Sequence, residues 1–349
     1  MSTNWKEGFF TVVQTSERSI SPTAAALHRQ AVVVDAHADT LQDVLAGRRH
    51  LWEQSREGHV DIPRLLAGGV DLQVFPIWVD PSAAGHLAAT RQALRLIDSF
   101  YREVVHTPRL WLVRSRSDLQ RVGRPGCGQV AALLSLEGGE PLAGSLELLD
   151  LFFQLGIRLL GLTWNGRNEL ADGVEEAEAG GGLTRLGRQV VQRMTKLGMV
   201  LDVSHLSNRG FWDALEVYSG PLIASHSNCR VICNHPRNLT DAQIQALAQH
   251  DGVMGINFLP AFLRPDAQQL PARIEDIVRH IDHIVDLVGP EHVGLGSDFD
   301  GISKTPVELP DVSHLPLLTE ALLAHGYRPE DVEDILGGNF LRVFAQTLP

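Results

Sequence analysis

Cysteine is scarce in this chain of 349 residues: only Cys127, Cys229 and Cys233 occur, too few and too odd a number for a disulfide framework. Reduced, mostly buried thiols are expected, and Cys229 and Cys233 lack the second Cys or His pair that a structural zinc finger requires. Basic charge is also short. The 30 Lys and Arg face 42 Asp and Glu, a formal charge of −12, and no basic stripe is present to displace counterions from a nucleic acid. No apolar run approaches the roughly 18 residues of a membrane-spanning helix. Polar and charged residues break the apolar stretch of MSTNWKEGFFTVVQTSERSI, so neither a membrane segment nor a secretory signal is expected, and a cytoplasmic location is. The turn after the first apolar run, DAHADTLQD, lacks the glycines of a dinucleotide fingerprint, and no G-x-S-x-G elbow occurs. These absences count against a Rossmann-type site and a serine hydrolase.

What is present is a repeated alternation. Hydrophobic residues make up 44% of the chain, enough for a large core. Short Val/Ile/Leu-rich runs, each followed by a turn and a stretch with helical periodicity, mark βα units. Eight such runs occur: AVVVDAH from Ala31, VDLQVFPI from Val70, VAALLSLE from Val130, IRLLGLTW from Ile157, MVLDVSH from Met199, PLIASH from Pro221, GVMGINF from Gly252 and HVGLGSD from His292. Helices are predicted over 88–105, 145–155, 184–197, 208–217, 240–250 and 273–288, with a final one opening at Pro329. The pattern predicts an α/β fold, a (β/α)8 TIM barrel forming one domain over residues 29–349, with residues 1–28 as an N-terminal extension.

Barrel enzymes carry their chemistry at the C-terminal ends of the strands. Here those ends hold His37 and Asp39 (strand one), Glu137 (three), His205 (five), His226 (six) and Asp298 (eight). His37 and Asp39 are two apart and so share a face. Three imidazoles and three carboxylates in one barrel mouth are costly to bury unless a cation compensates them. They form the nitrogen and oxygen inventory of a catalytic zinc-type site. Six such groups exceed the needs of one open zinc site, which motivates two metal ions sharing a carboxylate. The other histidines are read as structural or solvated: His280 and His283 on a helix surface, His235 at an exposed loop position.

With these residues in place, the sequence resembles the membrane (renal) dipeptidase family of the amidohydrolase superfamily. The likeness runs from about residue 30 to the end, through VVDAHADTL, LLSLEGGEPL, LTWNGRNELADG, LDVSHLS, SHSNCRVICNHPRNLTD, HVGLGSDFDG and GGNFLRVF. It implies two Zn2+ per chain, with His37 and Asp39 on the first ion, Glu137 bridging, and His205 and His226 on the second. It assigns proton transfer to Asp298, ahead of Asp300 in the same motif, and recognition of the substrate carboxylate to Arg237. Animal members follow the strand-four threonine with a histidine; here Thr163 is followed by Trp164 and Asn165, which are expected to contact the substrate instead. The activity implied is hydrolysis of dipeptides, L-Xaa-L-Xaa and L-Xaa-D-Xaa, by a metal-activated hydroxide, in a homodimer. Two alternatives stand beside it: the same barrel mouth acting on another amide, a lactone or a phosphoester, and a catalytically inactive binding barrel.

Overall fold

The computed structural model describes residues 20–81, 86–123 and 128–349, so Cys127 and most of the expected extension lie outside it. Nine parallel strands form one sheet: β1 (Val33–Asp35), β2 (Val70–Trp78), β3 (Leu110–Leu112), β4 (Val130–Glu137), β5 (Ile157–Gly161), β6 (Val200–Asp202), β7 (Ile223–Ser227), β8 (Val253–Ile256) and β9 (Val293–Leu295). The order β2-β1-β9-β8-β7-β6-β5-β4-β3 is closed by a β2–β4 pairing. The eight expected strands therefore make a closed parallel barrel. The ninth, β3, was not expected; it pairs with β4 at Val130–Ala132, before β5 joins β4 at Leu134. Its three residues, LWL between arginine-bearing flanks, are too short for a period-2 signal.

The predicted helices form where local chemistry supports them. Arg185–Leu197 starts at Thr184, whose hydroxyl accepts the Gly187 N–H, buries Val190, Val191 and Met194, and stops at Gly198 in the left-handed region. Asp241–Gln249 opens with a reciprocal Thr240/Gln243 capping box. Pro316–His325, which lies outside the predicted helices, carries buried Leu317, Leu318, Ala321 and Leu322, an apolar surface wide enough to hide its period. The helix Pro22–Gln30, capped by Ser21, docks on it through His28 Nδ1 and Thr319 Oγ1 at 2.7 Å.

Side chains fill the barrel. Val34, Val74, Leu133, Leu159, Val200, Ile223 and Val253, one each from seven strands, pack with Phe340, Val343 and Phe344 of the last helix. That helix closes the N-terminal end of the strands, where Phe340 lies so close to Gly294 that a Cβ there would come within 2.6 Å. Residues an even number apart on a strand share a face. Leu133 thus puts Glu137 on the interior at the opposite, C-terminal mouth, and Ile223 does the same for Ser225.

The ladder is shortest at two seams. β6 pairs with β7 only at Asp202–Ile223, and β1 with β9 only at Asp35–Leu295, supplemented by an isolated bridge between Ala38 and Phe299. At each seam a buried aspartate bonds a serine across the gap. Asp202 accepts the N–H (2.9 Å) and hydroxyl (2.5 Å) of Ser225, and Asp35 accepts the N–H (2.8 Å) and hydroxyl (2.6 Å) of Ser297. The residues that follow these serines are His226 and Asp298.

Candidate active site

The strand ends converge on a cavity of about 770 Å³ lined by Asp39, Glu137, His205, His226, Arg237 and Asp298, with Trp78, Trp164, Asn165 and His235 on its walls. His37 is buried against this cluster, its Nε2 3.5 Å from Asp39 Oδ2 and 3.4 Å from Glu137 Oε2. The other Glu137 oxygen, Oε1, lies 3.0 Å from His205 Nε2 and 3.8 Å from His226 Nε2. All nine residues singled out from the sequence meet at this one mouth.

Two of them sit on strained backbone: His205 (φ 70°) and Asp298 (φ 62°) occupy the left-handed region that non-glycine residues avoid. Gly301 passes so close to both carboxylates that a Cβ would meet Asp39 Oδ2 at 2.2 Å and Asp298 Oδ1 at 2.5 Å. A side chain there would push on both carboxylates.

Proton bookkeeping makes the centre electron-rich. Burial, then the Arg237 charge, pushes His205 down to about 3, and burial with the His37 charge holds His226 well below the usual histidine range, so both rings are neutral. His205 Nδ1 donates to Asn165 Oδ1 at 2.7 Å, which leaves a lone pair on its Nε2. His226 Nδ1 meets Ser225 Oγ at 2.7 Å, and the two Nε2 atoms face each other 2.9 Å apart. Two lone pairs at that distance beside a carboxylate oxygen repel unless a cation lies among them. His37 Nε2 and Asp39 Oδ1 are buried without any hydrogen-bond partner. Ligand atoms of His37, Glu137 and His226, and of His37, Asp39 and Asp298, lie within 4.8 Å of one another. The donor set fits divalent metal ions of the zinc type.

The carboxylates divide by environment. Burial opposes ionisation of Glu137, but the His37 charge and contact hold it well below the usual range. Burial raises Asp298 to about 7, with Asp39 and Glu137 adding to the rise, while Asn257 Nδ2 donates to its Oδ2 at 2.8 Å. Burial and the Glu137 charge raise Asp39 to about 6. Asp300 is otherwise engaged: Arg49 NH2 lies 2.6 Å from its Oδ2, both side chains are buried, and Thr40 Oγ1 donates to the same oxygen at 2.6 Å.

These shifts fix how the metal-free protein responds to alkali. Burial disfavours charge on His37, but Glu137 and Asp39 outweigh it and raise its pKa well above the ordinary value. As pH rises through about 7 the native state therefore releases a proton from Asp298, and at higher pH one from His37, whereas in the unfolded chain aspartate (~3.9) and histidine (~6.5) lose theirs earlier. The native state binds more protons, so stability falls as pH rises. Once pH is well above the ordinary histidine value (~6.5), His205 and His226 are neutral and Glu137 is ionised in both states, so they add no slope there. Denaturant titration of chelated protein should show a loss of up to about 1.4 kcal/mol per pH unit for each proton released; a flat profile would contradict the assignment.

Arg237 is buried, and burial lowers it to about 10, so it stays charged. Among the described residues it has no ion-pair partner, and its guanidinium makes one hydrogen bond, NH2 to the His226 carbonyl at 3.2 Å. A buried guanidinium facing a cavity with donors to spare is a carboxylate receptor. Trp164 packs edge-on against Trp78, ring centroids 5.6 Å apart.

Two histidine assignments change. His280 is not solvated: it is fully buried, its Nδ1 accepts the Cys229 N–H at 3.0 Å and its Nε2 bonds the Leu263 carbonyl at 3.0 Å, which anchors the loop carrying Arg237. His235 is half-buried rather than exposed, stacking on Phe262 at 4.3 Å and accepting the Arg237 N–H at 3.2 Å. Cys229 and Cys233 are free, buried thiols, as expected.

Comparison with known proteins gives consistent results. The family model described as membrane dipeptidase (Peptidase family M19) matches residues 22–348. The chain is 34% identical to dipeptidase tcpJ of Claviceps purpurea over 298 residues, 83% of this chain and 69% of that protein. It is 33% identical to mouse dipeptidase 3 over 347 residues, 95% of this chain and 67% of that one. Among solved structures, a metallo peptidase from Rhodobacter sphaeroides liganded with a phosphinate mimic of L-Ala-D-Ala superposes with a TM-score of 0.83 at 31% identity, covering 91% of this chain and 99% of that one.

Proposed function

The chain belongs to the membrane dipeptidase family, peptide-bond hydrolases of the metallopeptidase type, and from that premise we propose a two-zinc dipeptidase that cleaves L-Xaa-L-Xaa and L-Xaa-D-Xaa substrates. The observation that carries this reading is the unpaired, buried guanidinium of Arg237 in the same cavity as a cluster of neutral imidazoles and carboxylates. His37 and Asp39 would hold one ion, His205 and His226 the other, and Glu137, whose two oxygens face the two groups, would bridge. Bound there, zinc supplies Lewis-acid polarisation of the scissile carbonyl and a water acidic enough to act near neutral pH.

The remaining work falls to side chains. Arg237 fixes the substrate's free carboxylate and so the register of the peptide bond. Asp298, with Oδ2 tied to Asn257, has Oδ1 free to take the proton of the attacking water and pass it to the departing amine. Hydroxyl then resides on the acyl carbon and the proton on nitrogen, and the bond between them is broken. Trp164 and Trp78 wall the cavity where the side chain of a bound dipeptide would lie. The phosphinate mimic of L-Ala-D-Ala on the Rhodobacter sphaeroides protein supports tolerance of a D residue at the C-terminal side.

The test is hydrolysis of a panel of L,L and L,D dipeptides by protein that has been chelated and then titrated with zinc. Activity saturating near two ions per chain is expected. The same panel on Arg237→Ala should lose roughly 2–5 kcal/mol of transition-state binding, mostly in kcat/KM, as when one member of a buried charge pair is truncated. If that variant keeps its kcat/KM, a free-carboxylate dipeptide is the wrong substrate, and the lactone, phosphoester or other-amide reading takes its place.

A further inference from the structure

We propose that Asp202 and Ser225 form a hydrogen-bond relay that fixes the tautomer of His226, so that its Nε2 lone pair, and not a proton, faces the centre. The inference rests on the reading of His226 as a metal ligand. Neither Asp202 nor Ser225 touches the cavity; they act through His226 as positioning residues.

The direction of the relay follows from who has a proton to give. Asp202 is buried at the β6–β7 seam, and its Oδ1 accepts two backbone N–H groups, from Ser204 at 3.0 Å and Ser225 at 2.9 Å. Its Oδ2 lies 2.5 Å from Ser225 Oγ. A carboxylate only accepts, so the single hydroxyl proton of Ser225 points at Asp202. Ser225 Oγ must then accept in its 2.7 Å contact with His226 Nδ1, which places the imidazole proton on Nδ1 and the lone pair on Nε2. The one other hydroxyl nearby, Ser204 Oγ, is 3.4 Å from Ser225 Oγ and already accepts the His226 N–H at 3.2 Å. It is too distant to compete. Carboxylates that orient ligating histidines are a common device; here a serine is interposed, and the charge stays one residue further from the centre.

The relay makes an isosteric substitution more damaging than a truncation. In Asp202→Asn the two backbone N–H groups keep the amide oxygen in the Oδ1 position and force the amide nitrogen toward Ser225 Oγ. The serine then donates to His226 Nδ1, and the ring proton moves to Nε2, into the centre. Ser225→Ala removes the connection without reversing it.

The experiment has two readouts. First, 15N-histidine NMR on metal-free protein, with the His226 signals identified by their loss in His226→Gln, should show the Nδ1–H tautomer in the wild type and Nε2–H in Asp202→Asn. Second, zinc affinity by chelator competition should weaken about 100-fold in Asp202→Asn and about 10-fold in Ser225→Ala, spanning the range for lost ligand-orienting contacts. The double variant should match Ser225→Ala, a partial rescue that a merely structural role would not produce. An Nε2–H tautomer in the metal-free wild type, or a double variant weaker than Asp202→Asn, overturns the relay. Tautomers as expected with zinc affinity unchanged in every variant leave the relay standing and remove His226 from the ligand set, which sinks the proposed function instead.

Discussion

Asp298→Asn is expected to lower kcat on dipeptides by about 10²–10⁴-fold, the span of a lost general acid–base, with zinc content unchanged. The substitution keeps shape and reverses one polarity. Asn257 Nδ2 already donates to Oδ2 of Asp298 at 2.8 Å, so the new amide keeps its oxygen there and turns its NH2 toward the cavity. An NH2 group cannot take a proton from water, and it has none to spare for the departing amine. Ground-state binding through Arg237 is untouched, so KM should move little. Metal analysis must accompany the kinetics, because Asp298 lies within one cluster with His37 and Asp39. Near-normal turnover, or a loss of zinc that accounts for the loss of activity, would remove Asp298 from the acid–base role.

The second large effect is expected from Glu137→Gln. Glu137 is the point where the two halves of the centre meet, one oxygen toward His37 and the other toward His205 and His226. Its removal takes the one shared negative charge from both cation positions. Breaking one side of a buried pair costs about 3–5 kcal/mol, which at 1.36 kcal/mol per tenfold is roughly 10²–10⁴ in an equilibrium constant. Zinc retention should fall at both positions together, and kcat/KM with it, while far-UV circular dichroism stays native because β4 keeps its pairing with β2 and β5. Loss of one ion with the other held at full affinity would show that Glu137 is not shared.

Much of this arrangement is legible in the sequence alone. Strand ends are where an apolar run gives way to polar residues, and a barrel brings those ends together, so His37, Asp39, Glu137, His205, His226 and Asp298 could be grouped from their positions alone. Arg237, Trp164 and Asn165 came through the family likeness and lie at the same cavity. Asn165, expected to contact the substrate, has its amide oxygen committed to His205. What escaped was the layer behind the ligands. Asp35 and Asp202 sit inside apolar runs, where a buried carboxylate is costly without partners, and serine precedes His205, His226 and Asp298 alike. That coincidence was a usable signal, but which aspartate meets which serine depends on strand order, and strand order is not a local property of sequence. His280 escaped for a related reason. An amphipathic period shows which face is apolar, not that a polar residue on its border is covered by a distant loop.

The two thin seams have a consequence for the site. They cut the barrel into an arc of five strands, β1, β2, β4, β5 and β6, and an arc of three, β7, β8 and β9. His37, Asp39, Glu137 and His205 ride on the larger arc; His226, Arg237 and Asp298 ride on the smaller. Neither arc alone carries all the candidate ligands, or Asp298 together with Glu137. On the proposed assignment, hydrolysis requires both seams to be joined.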